Sequence, residues 1–186
     1  REQQDEIAVR SHQLAAQADQ LGLFGTEIIP IQLMKEMFNS DEGVRGESSL
    51  NKVSKLLPAF NKFGTITAAN ASQMSDGASI GAITSLAFAK GIGRAPLAKI
   101  ISFAEVAGPD TSLHLKPAYA IELALKKAGL KITDIDLFEI NEAFAAVVAA
   151  TCTHLKIPLD VTNVNGGAIA IGHPLGGTGF RLVLTL

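Results

Sequence analysis

Apolar residues recur at helical spacing at Ile7, Leu14, Ala15, Ala18 and Leu21. This pattern predicts a helix over 1–22, with acids near its start and Gly22 in the position after its last turn. Glu27–Leu33 reads as a strand interrupted by Pro30, which favours an edge or a bulge. Residues 35–48 are polar, charged and glycine-containing, the pattern of a surface loop. Ser49–Leu57 reads as a short helix that ends before Pro58.

The pattern changes after Gly64. Gly64–Ala68 predicts a short strand, and 70–77 is a turn-rich stretch leading into a small-residue helix over about 76–90. Residues 91–96 connect to a strand at Lys99–Val106, and Gly108-Pro109-Asp110 marks a turn. Lys116–Ala128 predicts a helix with Tyr119, Leu123 and Leu125 among its apolar positions and Gly129 as its stop. A buried-type strand follows at Asp136–Ile140, then a helix over Asn141–Leu155 and a strand at Asp160–Val164. A glycine-rich loop at Gly166–Gly179 precedes a last helix. Strands alternating with helices predict an α/β layered sheet.

Hydrophobic residues make up 47% of the 186 residues and charged residues 18%, which excludes a disordered chain. The net charge of −2 gives no electrostatic case for nucleic-acid binding. The single cysteine, Cys152, excludes a disulfide framework and cysteine-rich zinc sites. The longest apolar runs, Gly77–Ala89 and Ala143–Thr153, fall short of the roughly 20 residues that span a bilayer. No apolar leader opens the chain, so no membrane association and a cytoplasmic, reducing setting are expected. The chain begins at Arg1 and stops at Leu186 inside an apolar segment, so an incomplete chain is expected.

The segment with most chemical promise is Asn163–Gly179, in which His173 sits between Gly172 and Pro174. A histidine fixed in such a loop suits acid–base work near neutral pH. The following helix aims backbone N–H groups at the loop. A phosphate loop would need a lysine after Gly177, and Thr178 stands there. The glycines at 172, 176, 177 and 179 do not make a dinucleotide fingerprint. A tight corner around a buried histidine remains the bland alternative.

Asn141-Glu142-Ala143-Phe144 follows an apolar strand, where α/β sheets place ligands. Asn141 reads either as a helix N-cap or as an amide that orients a water or a substrate carbonyl. Glu142 reads as an exposed first-turn acid. Ala68–Gly77 reads as a strand-to-helix turn capped by Asn and Asp, or as a small-residue track for an extended ligand. Cys152 reads as inert core. His12 and His114 read as surface residues and His154 as a helix-end residue, so no metal site is expected.

Asn141-Glu-Ala-Phe144, Asn165-Gly-Gly-Ala-Ile-Ala-Ile-Gly-His-Pro174 and Gly64-Thr-Ile-Thr-Ala-Ala-Asn-Ala-Ser72 together resemble the thiolases. The resemblance runs along essentially the whole chain, and Arg1–His12 looks like a helix of the family's inserted loop domain. It implies a thiolase-like layered α/β/α fold with a mixed sheet. Residues 1–67 would be the later part of the loop domain that binds coenzyme A. Residues 68–93 would end the N-terminal half, and 94–186 would form most of the C-terminal half.

The implied reaction is the Claisen condensation of two acetyl-CoA to acetoacetyl-CoA, or its reverse thiolysis, through an acylated cysteine. By this resemblance His173 would activate the cysteine and help stabilise the thioester oxyanion. Asn141 would hold a water that completes the oxyanion hole, and Phe144 would line the acyl pocket. Ser72 and Ala68 would contact the pantetheine arm of coenzyme A. Coenzyme A thioesters would be substrates with no separate cofactor, and a homodimer or homotetramer is implied. The family's two reactive cysteines fall outside these residues, and Cys152 matches neither motif, so the 186 residues alone are expected to be inactive.

Three stretches depart from the family pattern: Leu57 where an arginine is common, Gln73 where glycine is usual, and Leu113-His-Leu-Lys-Pro117. Within the wider superfamily, decarboxylating condensing enzymes pair two histidines, which Asn141 speaks against. A non-catalytic acyl-CoA or lipid-binding relative is the alternative from another class.

Overall fold

The computed structural model describes all 186 residues. Its longest element, α1 (Glu2–Gln20), lies at the centre of the molecule and buries polar residues together with apolar ones. Ile7, Ala8, Ala15 and Ala18 are buried, and so are Asp5, Ser11 and His12. Each of these polar side chains has a distant partner, as buried polar groups require. Asp5 accepts from Asn70 Nδ2 at 2.9 Å and from Arg1 Nε at 2.7 Å. His12 Nδ1 accepts from the Arg45 N–H at 3.2 Å, so His12 is not the surface residue expected from sequence. Arg10 donates to the carbonyls of Leu159 and Thr162. Leu21 is exposed, and Gly22 takes a left-handed conformation after the helix as expected.

Only one ladder forms: β1 (Ile31–Leu33) pairs antiparallel with β2 (Glu36–Phe38). The strand expected at 27–33 is therefore its last three residues, and the expected 35–48 loop contains the partner strand. The hairpin turns through Met34, whose φ is +49°. Both strands are exposed, so no alternating pattern marks them. The helix expected at 49–57 is the single turn α2 (Leu50–Val53).

The other expected strands meet neighbours at single bridges. Thr67 bridges Pro58, and Phe138 bridges Thr162 in parallel. The Phe138 N–H donates to Val161 O, and the Asn163 N–H donates to Phe138 O, both at 2.9 Å. The ladder stops there because Asn163 turns to a φ of +47°. Its side chain then replaces the missing backbone pair, with Oδ1 accepting from Ile140 N at 2.7 Å and Nδ2 donating to Ile140 O at 2.8 Å. Lys99–Val106 joins no ladder, and its strand expectation is not met. It lies beside α4 (Lys116–Ala128), with Ser102 Oγ donating to Ala124 O. Gly129 ends α4 in a left-handed conformation, as expected.

The helix expected over 76–90 shrinks to α3 (Leu86–Gly91), which is capped by Ser85 Oγ rather than by Asn70 or Asp76. Upstream of it the chain packs directly on α7 (Leu175–Thr185). Ser79 Oγ donates to Gly177 O at 2.5 Å, and a Cβ on Gly81 would overlap the Phe180 ring. Close backbone approach here outweighs the weak intrinsic helical preference of the segment.

Ile7, Ile140, Val148, Cys152, Ile157 and Ile169 belong to one core cluster beneath α1 and α5 (Ala145–Leu155). The glycine-rich stretch expected as one loop contains α6 (Ala168–Ile171), and α7 begins at Leu175. No helix is long and apolar enough to cross a membrane.

Candidate active site

Two segments emerge from this core side by side. One is Asn141–Phe144, which leaves the Asp136–Ile140 segment. The other is Gly172-His173-Pro174, between α6 and α7. Asn141 is not a helix N-cap, because α5 starts only at Ala145. The segment is held extended instead. Ser72 N donates to Ala143 O at 3.0 Å, and Ala145 N donates to Asn70 O at 2.9 Å. Phe144 accordingly has φ −144° and ψ 145°.

The extended path brings Asn141 Nδ2 to 3.1 Å from His173 Nε2. An amide nitrogen only donates, so in this arrangement Nε2 is the acceptor and the ring proton lies on Nδ1. On the other side of the ring, Nδ1 stands 2.7 Å from Thr178 Oγ1, which donates to Pro174 O at 2.9 Å. The relay therefore runs in one direction, from Asn141 through the imidazole and Thr178 to the Pro174 carbonyl. Burial and the charge of Arg181 both hold the imidazole below the ordinary histidine pKa, so the neutral, basic form is favoured. Asn141 Oδ1 is buried and without a partner. This acceptor is open to a water or a polar ligand hydrogen.

Phe144 and Ser72, also singled out from sequence, lie along the Asn141 segment. Phe144 stacks edge-on with Phe60, at 6.1 Å between ring centres. Ser72 lies half-buried, and its hydroxyl donates to Ala143 O at 3.1 Å, leaving its lone pairs for a ligand. Ala68 is exposed, next to the segment that leads into the site. It lines a cleft of about 270 Å³ together with His12, Arg45, Ser48 and Lys52. Gln73, one of the departures from the family pattern, donates to Ala170 O at 2.9 Å and so ties the 70–77 stretch to α6.

Sequence reasoning missed three residues. Glu142 is 1% exposed, not a solvated first-turn acid. Thr178 is buried against His173. Arg181 Nη1 donates to Glu139 Oε1 at 2.9 Å in a largely buried ion pair. Burial pushes Glu139 up to about 7 despite the opposing pull of Arg181. Thr178, five residues after His173, was recoverable from its place in the first turn of the last helix. The partners of Glu142 and Arg181 lie too far along the chain to be read.

Cys152 is buried in the core, 3.8 Å from Thr162 Oγ1, and burial raises its thiol pKa. His154 lies exposed at the end of α5, 3.5 Å from Glu122, and His114 is exposed, as expected.

The model of the thiolase N-terminal domain matches residues 1–85, and that of the thiolase C-terminal domain matches residues 94–186. A probable acetyl-CoA acetyltransferase of Mycobacterium leprae is 43% identical over 189 residues, covering 99% of this chain and 48% of the relative. A probable acetyl-CoA acyltransferase of Staphylococcus aureus is 43% identical, covering 100% of this chain and 49% of the relative. The chain thus spans about half the length of the curated relatives it matches. Among solved structures, the Bacillus anthracis acetyl-CoA acetyltransferase superposes with a TM-score of 0.93 at 40% identity. It covers 100% of this chain and 48% of that one. Human mitochondrial 3-ketoacyl-CoA thiolase in complex with CoA superposes with a TM-score of 0.90 at 42% identity, covering 100% and 47%. Two family models in chain order, and structural agreement along the full chain, establish that this chain belongs to the thiolase family.

Proposed function

We propose that the full-length protein carrying this chain is an acetyl-CoA C-acetyltransferase, joining two acetyl-CoA into acetoacetyl-CoA and cleaving it in reverse. The observation that carries the reading is the Asn141–His173 contact beside the unpartnered Asn141 Oδ1. In this mechanism a substrate or nucleophile thiol replaces the Asn141 N–H at His173 Nε2, and the ring accepts the thiol proton. The resulting thiolate attacks the thioester carbonyl. The carbonyl oxygen becomes an oxyanion that protonated His173 and a water held by Asn141 Oδ1 stabilise. Each preorganised donor of this kind typically contributes about 2.7–4 kcal/mol to the transition state. The thiolate of coenzyme A departs with the proton held by His173 and leaves the acyl group on the cysteine. A second acetyl-CoA then loses an α-proton to a base, its α-carbon attacks the acyl carbonyl, and the cysteine thiolate leaves as the C–C bond forms.

Phe144 lines the acyl pocket, and Ser72 and Ala68 contact the pantetheine arm. The cleft at Ala68, with Arg45 and Lys52 on its walls, supports the approach of an anionic coenzyme A there. Coenzyme A thioesters are the substrates, with no separate cofactor. The similar thiolase solved with CoA supports acyl-CoA binding. Residues 1–67 belong to the inserted loop domain, 68–93 to the end of the N-terminal half and 94–186 to the C-terminal half. The start of the C-terminal family match at residue 94 supports that last boundary. A homodimer or homotetramer in the cytoplasm completes the reading, and the exposed apolar Ile80, Ile83 and Phe88 are compatible with a covered face.

Cys152 cannot serve as the nucleophile, because reactive cysteines need an exposed, electropositive setting that stabilises the thiolate. The 186 residues alone therefore carry the base and the oxyanion water site without a nucleophile. The test is acetyl-CoA production from acetoacetyl-CoA and CoA by the full-length protein. Turnover that disappears in His173→Ala supports the assignment, and its absence in the unsubstituted protein refutes it.

A further inference from the structure

The fully buried Glu142 carboxylate takes no part in the chemistry above, yet it joins the segments that carry both site residues. Its Oε2 accepts from Ser11 Oγ at 2.6 Å and from the Ile169 N–H at 3.1 Å. Its Oε1 accepts from Asn163 Nδ2 at 2.9 Å. Ser11 lies on α1, Asn163 beside the Ile140 backbone and Ile169 on α6. Glu142 itself is the immediate neighbour of Asn141, and α6 runs straight into Gly172 and His173. Gly167 N donates back to Ser11 Oγ at 3.0 Å, and a Cβ on Gly167 would overlap the Glu142 carboxyl group. Every close partner of the carboxylate can donate a hydrogen bond.

We propose that Glu142 is a positioning residue, which staples the Asn141 segment to α6 and thereby sets the separation of Asn141 Nδ2 from His173 Nε2, with Ser11 of α1 as its brace. This rests on the functional reading above and extends it. The geometry is specific to a carboxylate. In Glu142→Gln the side chain keeps its size but gains a nitrogen that donates. That nitrogen must then face Asn163 Nδ2 or the Ile169 N–H, and one of the two bonds is lost.

The charged groups acting on His173 are Arg181 on α7 and, through their pair, Glu139. Glu142 acts on both of these charges, whereas Ser11→Ala alters no charge, so a change at His173 in the serine variant reports the staple. A donor on Nε2 disfavours protonation there, so moving Asn141 away raises the His173 pKa toward the ordinary value. Removal of the negative charge at 142 acts in the opposite direction and lowers it.

The experiment is the pH titration of His173 by NMR of ring-labelled histidine in the full-length protein, unsubstituted and as Glu142→Gln and Ser11→Ala. A rise in the His173 pKa in Ser11→Ala is expected. No change, or a fall, in Ser11→Ala overturns the proposal, and a rise in Glu142→Gln, against the effect of its lost charge, supports it further. Thiolysis then gives a second readout, normalised to folded protein. A kcat lower by about 10- to 100-fold, with KM for acetoacetyl-CoA within about twofold, is expected from a misplaced site. A kcat that falls only as folded protein is lost contradicts positioning. Unsubstituted protein without thiolase activity defeats the functional reading, while the titration still decides the role of Glu142.

Discussion

Thr178 Oγ1 stands 2.7 Å from His173 Nδ1, and the threonine gives its own proton to the Pro174 carbonyl. The hydroxyl is therefore left with its lone pairs toward the ring, and it fixes the ring proton on Nδ1. Nε2 is the nitrogen presented to the site. This places the choice of tautomer on the first turn of α7, five residues beyond the histidine, and makes it independent of the substrate.

Replacing that threonine separates the tautomer from the fold. Thr178→Val keeps the shape but removes the acceptor, and thiolysis by the full-length protein should fall by about tenfold or more, as expected when a base spends much of its time in the wrong tautomer. Thr178→Ser should retain most of the rate. Steady-state kinetics of the two variants, compared at equal folded protein, checks this.

The pair of Arg181 and Glu139 is a second lever on the same histidine. Arg181→Met removes the cation from the buried Glu139, which then takes up a proton near neutral pH, and should cost about 1–3 kcal/mol in denaturant unfolding. It should also push Glu139 further above its present value of about 7 and raise the His173 pKa, because Arg181 lowers it. Carboxyl and imidazole titrations by NMR report both shifts.

His12 makes stability depend on acid. Burial and Arg45 hold its pKa at about 4, below the ordinary 6.5. The unfolded chain thus binds a proton at this residue that the folded chain refuses. The contribution is fully present above 6.5 and is lost as pH falls through about 4. His12→Gln should flatten the fall in stability across that window. Urea unfolding at several pH values measures the slope. Glu139, with a raised pKa, works in the opposite sense, so the comparison must be between the variant and the unsubstituted protein.

Cys152 should prove dispensable for chemistry. Cys152→Ala in the full-length protein should keep kcat within about twofold while costing about 1 kcal/mol of stability, the range for a small loss from a packed core. Turnover and thermal unfolding measured on one preparation settle both halves.

His173 and Asn141 stood out in the sequence because local features mark them, and the structure brings the two together. A histidine between glycine and proline has a restricted backbone, and a polar residue after an apolar segment lies where α/β folds place ligands. The helices α1 and α4 were legible for the same reason, from periodicity and a terminal glycine. Glu142 was not, since its burial depends on Ser11, a residue 131 positions away. His12 was hidden likewise, because its partner is a backbone N–H in a distant loop. The small residues before Leu86 suggested a helix, but packing of that backbone on α7 decided otherwise. The segments 136–140 and 160–164 read as two strands, and in the structure a single bridge and the side chain of Asn163 join them in place of a ladder.

In the proposed mechanism His173, held by Asn141 and Thr178, is the base of the site. Its most direct test is the rate of acetyl-CoA formation from acetoacetyl-CoA and CoA by the full-length protein beside His173→Ala. Turnover that falls by about 10²- to 10⁴-fold in the variant, the usual contribution of a positioned base, is the result this account predicts. Turnover that survives the substitution unchanged, or an inactive unsubstituted protein, would contradict it.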